Sequence, residues 1–399
     1  MEKNIYLNSS DSGYTVLRNH KPKNDNLLTK VINWLVAFSK KQAVLSIATI
    51  AMLITCLIIP VDASYLSYFN WRTIATLFCT LEVVAAFSHI HVFEIISKNI
   101  VLKLHNLRNA TLGLVMITFV GSMLLANDMA LLTFLPLGYF VLNSTDHKKA
   151  MAFTFIMQNI AANLGGMVTP FGNPQNLFLY AYYHMGTLEF IKIMLPSFIA
   201  ATIMILGICL FVKPIPLQLK KDEAYTLDKK CTVIYSILFI CSILIVFRII
   251  PYLLGTIVIT IALYALDQEA IKEVNYPLLV TFCVFFVFSG NMARIPMVSS
   301  FFEYLLPKNT LLFGILSCQL ISNVPSAVLL SHFTSDYASL LPAVNIGGCG
   351  TLIASLASLI TFSEFKKHNP DKTKSYVLKF SAINFSFVIV LFILQSIIG

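Results

Sequence analysis

Long apolar runs alternate with short polar segments along this chain, and their lengths predict the elements. Runs at about 44–60, 70–87, 190–212, 231–248, 251–266, 276–291 and 375–398 each approach the roughly 20 residues that a helix needs to cross a bilayer's hydrocarbon core. Two more, 151–182 and 338–365, are too long for one plain span. Two further segments, about 108–145 and 309–333, carry polar residues and a helix interruption at their centres. The pattern predicts an all-α integral membrane protein of about 9–11 spans, with the last two segments as re-entrant hairpins.

Residues 1–27 are polar. Residues 28–42 include KVINWLVAFSKK, an amphipathic piece with Lys at both ends that is short for a span and is predicted to lie on the cytoplasmic surface. This N-terminal region lacks the apolar core and small-residue cleavage site of a signal peptide, so the first apolar run is predicted to be a retained span.

The chain also resembles itself. Residues 162–179, ANLGGMVTPFGNPQNLFL, align without gaps on residues 344–361, VNIGGCGTLIASLASLIT. Asn163 pairs with Asn345, Gly165 with Gly347, Gly166 with Gly348 and Thr169 with Thr351. A polar-centred segment precedes each copy, LLANDMALL around Asn127 and Asp128, and LISNVPSAVLL around Ser322 and Asn323. Earlier still, NWRTIATLF from Asn70 matches NYPLLVTFC from Asn275. The expected organisation is a cytoplasmic basic N-terminus at 1–43, a first repeat at 44–212, a cytoplasmic linker at 213–230 and a second repeat at 231–399.

Charge then orients the repeats. Hydrophobic residues make up 57% of the chain and charged residues 12%, with a mean hydropathy of +0.78. The net charge of +9 sits between apolar runs, which argues for the positive-inside rule and against nucleic-acid binding. With the N-terminus inside and both hairpins re-entrant, the inside loops hold 22 of the 28 Lys and Arg residues. Full crossing by either hairpin would collapse that bias. The two repeats therefore have inverted topology, a recurring architecture of secondary transporters, and the C-terminus falls outside. The eight cysteines form no CxxC pair and lie mostly within apolar runs, which implies neither a disulfide framework nor a zinc site.

Candidate chemistry gathers at the interruptions. In Thr169-Pro170-Phe171-Gly172-Asn173-Pro174-Gln175-Asn176, two prolines remove amide donors and disfavour helix before them. Unwound backbone at membrane depth requires surrounding protein or a wet cavity, and its carbonyls and side-chain amides can coordinate a cation. The next half-helix presents a partly positive N-terminus to an anion. The second copy, Ala354-Ser355-Leu356-Ala357-Ser358, lacks proline and predicts a softer break, with Thr351, Ser355 and Ser358 supplying oxygens. Asn127-Asp128 and Ser322-Asn323 fall at the hairpin tips. A carboxylate at mid-membrane needs a partner or a proton, so Asp128 reads as a sodium ligand, a proton exchanger or a helix cap. Glu82 is a second acidic residue deep in a span, either titrating or facing a cavity. His89, His91 and Glu94 are expected at the inner interface, and Arg294 and His332 near the outer surface.

NDMALLTFLPL, NLGGMVTPFGNPQN and SNVPSAVLL resemble the ion transporter superfamily, which includes arsenite permeases, D-type sodium/proton antiporters and divalent anion/sodium symporters with their citrate-transporter relatives. The resemblance covers about residues 44–398 and lies nearest the anion-permease branch. It implies a scaffold domain and a transport domain, a homodimer, and an elevator-like movement. Carried over by motif, one site uses Asn127, Asp128, Gly172, Asn173 and Asn176, and the other Ser322, Asn323, Ala354 and Ser355; Thr169 and Thr351 join them as candidate ligands from the breaks themselves, with Na⁺ at Asn127, Asp128, Asn173 and Asn323. The tips read Asn-Asp-Met and Ser-Asn-Val, where dicarboxylate symporters carry Ser-Asn-Thr at both. The expected function is secondary transport of a small anion, a di- or tricarboxylate or an inorganic oxyanion, across a cell membrane, coupled to Na⁺ or H⁺ and needing no cofactor. A Na⁺/H⁺ antiporter is the alternative. A channel is disfavoured because no selectivity-filter ring is evident. An intramembrane enzyme is disfavoured because neither GxGD nor HExxH occurs, and no GxxxxGK[ST] motif suggests ATP drive.

Overall fold

The computed structural model describes residues 42–92, 95, 104–217 and 228–398. The amphipathic segment predicted within 28–42, Glu94 and most of the linker predicted at 213–230 lie outside the described residues.

Helices α1 (Ala43–Ile58), α2 (Trp71–His89), α3 (Leu107–Leu124), α4 (Asn127–Ser144), α5 (Met151–Gly165), α6 (Pro174–Tyr182) and α7 (Thr187–Leu210) make up the first half. The second half contains α8 (Lys229–Val246), α9 (Tyr252–Leu266), α10 (Gln268–Lys272), α11 (Tyr276–Arg294), α12 (Pro296–Leu305), α13 (Thr310–Ile321), α14 (Asn323–Leu330), α15 (Tyr337–Ile346), α16 (Leu356–His368) and α17 (Thr373–Ile398). Hairpin, interrupted helix and long helix thus follow one another twice, as α3–α7 and as α13–α17. Among the described residues, seven helical segments are long and apolar enough to cross a membrane.

Local signals set the boundaries. Asn70 and Asn275, matched in the sequence repeat, cap α2 and α11 by accepting from the Thr73 and Leu278 amides, as N-cap side chains do. Leu253, Leu254, Ile257, Val258 and Ile261 stand exposed on α9. A soluble monomer rarely exposes so continuous an apolar face; in hydrocarbon it is the stable arrangement.

Between helices in lipid, close packing and interhelical hydrogen bonds replace the hydrophobic effect. Gly121 of α3 lies against the Phe134 ring of α4, and Gly165 of α5 against the Phe119 carbonyl of α3. Gln158 of α5 grips both limbs of the first hairpin, donating to Thr118 Oγ1 and to the Phe134 carbonyl, each at 3.0 Å. The second hairpin is closed by Ser317 Oγ and Ser326 Oγ at 2.9 Å. Helices α2, α8 and α9 share a separate apolar cluster around Val83, Tyr235, Ile259 and Leu263. The far side of α2 meets the first hairpin, where Val84 packs with Leu125, Ala130 and Phe134.

Three residues flagged by the sequence make contacts between helices or across a loop. Glu82 is fully buried, and both its carboxylate oxygens lie 3.1 Å from the Thr260 hydroxyl of α9. His89 Nδ1 meets Asp267 at 2.8 Å, joining the end of α2 to the start of α10. Arg294 pairs with Asp62 at 2.7 Å, and this hydrogen-bonded guanidinium holds the Asp62 carboxyl below the usual carboxylate range. The stabilisation from that pair is present above the ordinary carboxylate range and is lost as pH falls through the lowered value. Both partners are exposed, so Asp62→Asn is expected to move the melting temperature by no more than about 2 °C, measured by differential scanning fluorimetry.

Candidate functional site

The first break spans Gly166 to Asn173. Helix α5 ends at Gly165, a single 3₁₀ turn covers Gly166–Val168, and Thr169 is extended with φ −111° and ψ 142°. That is the conformation a following proline imposes. Pro174 then opens α6 at its first position, where its missing N–H costs nothing. Carbonyls freed by the break need donors, and Asn176 supplies them: its Nδ2 lies 3.2 Å from Gly166 O and 3.3 Å from both Met167 O and Thr169 O. Gly172 sits against the Gly166 carbonyl with no room for a Cβ. Asn173 is the extended N-cap residue of α6, yet its side chain makes no capping bond. Its Nδ2 donates instead to Asn163 O at 3.0 Å and to Asn345 Oδ1 at 3.1 Å.

The second break is not softer than the first. It runs from Gly347 to Ser355, whereas the sequence placed it around 354–358. Glycines do the work of the missing prolines: Gly350 has φ +117°, a conformation that other residues rarely adopt. Gln319 of α13 then takes up the loosened backbone. It donates to Gly347 O at 2.9 Å and Cys349 O at 3.0 Å, and accepts from the Thr351 amide at 2.9 Å. Ser355 caps α16 by accepting from Ser358 N at 3.2 Å, and the two hydroxyls lie 2.8 Å apart. Ser358 itself is helical.

The repeat is visible in these contacts. Asn127 Oδ1 accepts from the next amide, Asp128 N, at 3.0 Å, and Asn323 Oδ1 from Val324 N at 2.9 Å. Thr169 donates to Met123 O at 3.0 Å and Thr351 to Gln319 O at 3.3 Å, each carbonyl four residues before its tip asparagine. Asn163 and Asn345 each donate back to the carbonyl four residues earlier, at 3.1 and 2.8 Å.

The two halves meet through those last two asparagines. Asn127 Nδ2 donates to Asn163 Oδ1 at 3.1 Å. Asn345 receives Asn173 Nδ2 and donates to Asn176 Oδ1 at 2.6 Å. A Cβ on Gly348 would stand 2.9 Å from Asn323 Nδ2 and 3.4 Å from Asn163 Oδ1. Asn323 N donates to Ala354 O at 2.9 Å, and Ser322, at φ +74°, reaches the same carbonyl at 3.3 Å. Thus Asn127, Asn173 and Asn176 are joined through Asn163 and Asn345, Asn323 bonds the Ala354 carbonyl within the second half, and Thr169, Gly172, Thr351 and Ser355 shape the two loops. Asp128 is 4% exposed at the first tip, but among the described residues no hydrogen bond or ion pair reaches its carboxylate. It does not act as the N-cap of α4, a position held by Ala126. Asn163, Asn345 and Gln319 were not among the candidate residues. The first two were legible as the opening polar pair of the repeat; Gln319 carried no signal.

Chemically, the arrangement offers two unwound segments, two half-helix N-termini at Pro174 and Leu356, and fully buried amide oxygens, without partners among the described residues, at Asn173 Oδ1 and Gln175 Oε1. Oxygen ligands of this kind suit a hard cation, and the helix N-termini suit an anion.

Residues 33–342 match the family described as "Citrate transporter" (CitMHS). The chain is 34% identical over 297 residues to the uncharacterized transporter MJ0456 of Methanocaldococcus jannaschii, covering 73% of this chain and 80% of that protein. It is 25% identical over 295 residues to the inner membrane protein YbiR of Escherichia coli, covering 73% of this chain and 79% of that protein. With two interrupted helices meeting two hairpin tips inside a lipid-facing helical shell, this chain belongs to the citrate transporter family and is a multi-pass membrane transporter.

Proposed function

We propose that the protein is a secondary transporter of a small anion, a di- or tricarboxylate or an inorganic oxyanion, driven by Na⁺ or H⁺. The observation that carries this reading is the joining of the first tip, the first break and the second interrupted helix through buried Asn163, Asn173 and Asn345, with two amide oxygens left free, among the described residues, beside a half-helix N-terminus. The cation sits among Asn127, Asp128, Asn173 and Asn323, and the anion is held by the N-termini of α6 and α16. The N-terminus is cytoplasmic, the C-terminus is outside, and the protein works as a homodimer. The buried carboxylate of Asp128, without a cationic partner among the described residues, favours one second reading, a Na⁺/H⁺ antiporter.

A thermal-shift screen of carboxylates and oxyanions, with Na⁺ or choline as the cation and at two pH values, tests the proposal. A ligand that binds only the folded state at 100 times its Kd stabilises by about 2.7 kcal/mol. The expected result is an anion that raises the melting temperature only with Na⁺ or at the lower pH. Asp128→Asn and Asn173→Ala should abolish that dependence; if they retain it, the site assignment is wrong. In proteoliposomes, Na⁺ movement against a pH gradient with no added anion would establish the antiporter instead.

A further inference from the structure

We infer that Asn345 is a positioning residue which, together with the Asn163 carbonyl, fixes the polarity of the first break, turning the Asn173 and Gln175 carbonyl oxygens into the free acceptors of a Na⁺ site. The inference rests on the sodium-coupled form of the reading above and adds a residue from the opposite repeat to it.

The orientation of every amide in this cluster traces back to a backbone carbonyl. Asn345 lies within α15, and the Leu341 carbonyl 2.8 Å away can only accept, so the group facing it must be Nδ2. The same Nδ2 donates to Asn176 Oδ1 at 2.6 Å. Asn176 is turned that way independently, because its own Nδ2 faces the Gly166, Met167 and Thr169 carbonyls. Asn345 Oδ1 must therefore point to the first break. There it accepts from Asn173 Nδ2 at 3.1 Å and Gln175 Nε2 at 3.4 Å. All four hydrogen-bonding positions of Asn345 are used.

The consequence falls on its two donors. With both NH₂ groups turned to Asn345, Asn173 Oδ1 and Gln175 Oε1 face away from it. Both residues are 0–1% exposed, and among the described residues neither oxygen has a hydrogen-bond partner. A buried acceptor left unpaired is unfavourable, and a bound cation relieves that state. Asn173 Oδ1 lies against Gly166, whose lack of a side chain keeps that oxygen unobstructed. Without Asn345, Asn173 Nδ2 keeps the Asn163 carbonyl at 3.0 Å but loses its second acceptor, and the Gln175 side chain loses the acceptor that holds it and can rotate to satisfy its oxygen internally, which removes a ligand from the cation.

The full-length wild type, Asn345→Ser and Asn384→Ser are compared by thermal shift against NaCl, with choline chloride keeping ionic strength constant. Asn384 is a fully buried amide of α17 that bonds the Phe380 carbonyl and Asn159, so its variant reports the generic loss of a buried amide. Both variants should melt below wild type without ligand. Asn345→Ser should in addition need at least tenfold more Na⁺ for half of the maximal shift, whereas Asn384→Ser should keep the wild-type Na⁺ midpoint. Equal Na⁺ midpoints in wild type and Asn345→Ser would overturn the inference alone, as would a matching rise in Asn384→Ser. A wild type indifferent to Na⁺ would overturn the sodium-coupled reading, and the role of Asn345 with it. Should Asn345→Ser fail to purify as a folded protein, Gln175→Met provides the second arm. It removes one free oxygen while conserving volume, and an unchanged Na⁺ midpoint there overturns the proposal.

Discussion

Gly172→Ala is expected to abolish transport and to lower the melting temperature by several degrees, although it adds one methyl group. That methyl would contact the Gly166 carbonyl and stand 2.5 Å from Thr169 Oγ1. The Gly166 carbonyl is backbone, and the Asn176 amide already holds it, so it cannot swing aside as a side chain would. Overpacking of this kind costs about 1–3 kcal/mol, concentrated here on the loop that carries Asn173. Gly207→Ala supplies the contrast. A Cβ at Gly207, within α7, meets nothing within 4 Å, and alanine is a better helix former by about 1 kcal/mol. That variant should melt at or above the wild-type temperature and transport normally. Differential scanning fluorimetry and proteoliposome uptake of whichever anion the thermal-shift screen identifies measure both; wild-type uptake by Gly172→Ala would show that the close approach at the first break is dispensable.

Asn176→Leu is expected to be the most damaging single substitution at the site. Leucine matches asparagine in branching and approximates its size but offers no hydrogen bond. Three backbone carbonyls, of Gly166, Met167 and Thr169, would lose their side-chain donor. Asn345 Nδ2 would lose its 2.6 Å acceptor while keeping the Leu341 carbonyl. The Thr169 carbonyl would keep the Gly172 amide at 3.3 Å; each buried polar group that is left unpaired costs about 1–3 kcal/mol, and the low-dielectric interior provides no water to replace the donor. The total is a sizeable part of the 5–15 kcal/mol by which domains are stable. The expected readout is loss of the monodisperse peak in size-exclusion chromatography, or a melting temperature at least about 10 °C below wild type. Asn176→Asp should fare no better, since it turns a carboxylate oxygen towards three carbonyl oxygens. Thr351→Val removes one 3.3 Å bond and should cost a small fraction of either. A ranking that placed Thr351→Val beside the Asn176 variants would contradict the donor count.

Much of the architecture was legible because lipid leaves the backbone few options. Helical runs had to be apolar and about 20 residues long, and any interruption at membrane depth had to be marked by proline, glycine or polar side chains. The hairpin tips at Asn127 and Asn323 and the first break were located from that rule. The second break was found but misplaced. Proline announces an interruption from sequence because it physically lacks a donor, whereas Gly347, Gly348 and Gly350 are also the residues expected at a tight helix contact. Only the position of Gln319, on a different helix, shows that the chain opens at Gly347 rather than near Ser355.

The sequence by itself determined the helices, their interruptions, the pairing of the two halves and the residue types available at each loop, because each of these follows from hydropathy, proline and repetition along one dimension. Only the tertiary structure decided that the Asn345 side chain bonds the opposite repeat's break, that Asn163 rather than Asp128 ties the first tip to the centre, and that Glu82 is held by Thr260. Those outcomes depend on which atoms of distant segments come within 3 Å of one another and on which way each amide must turn to satisfy a fixed carbonyl. Neither is written in the order of residues.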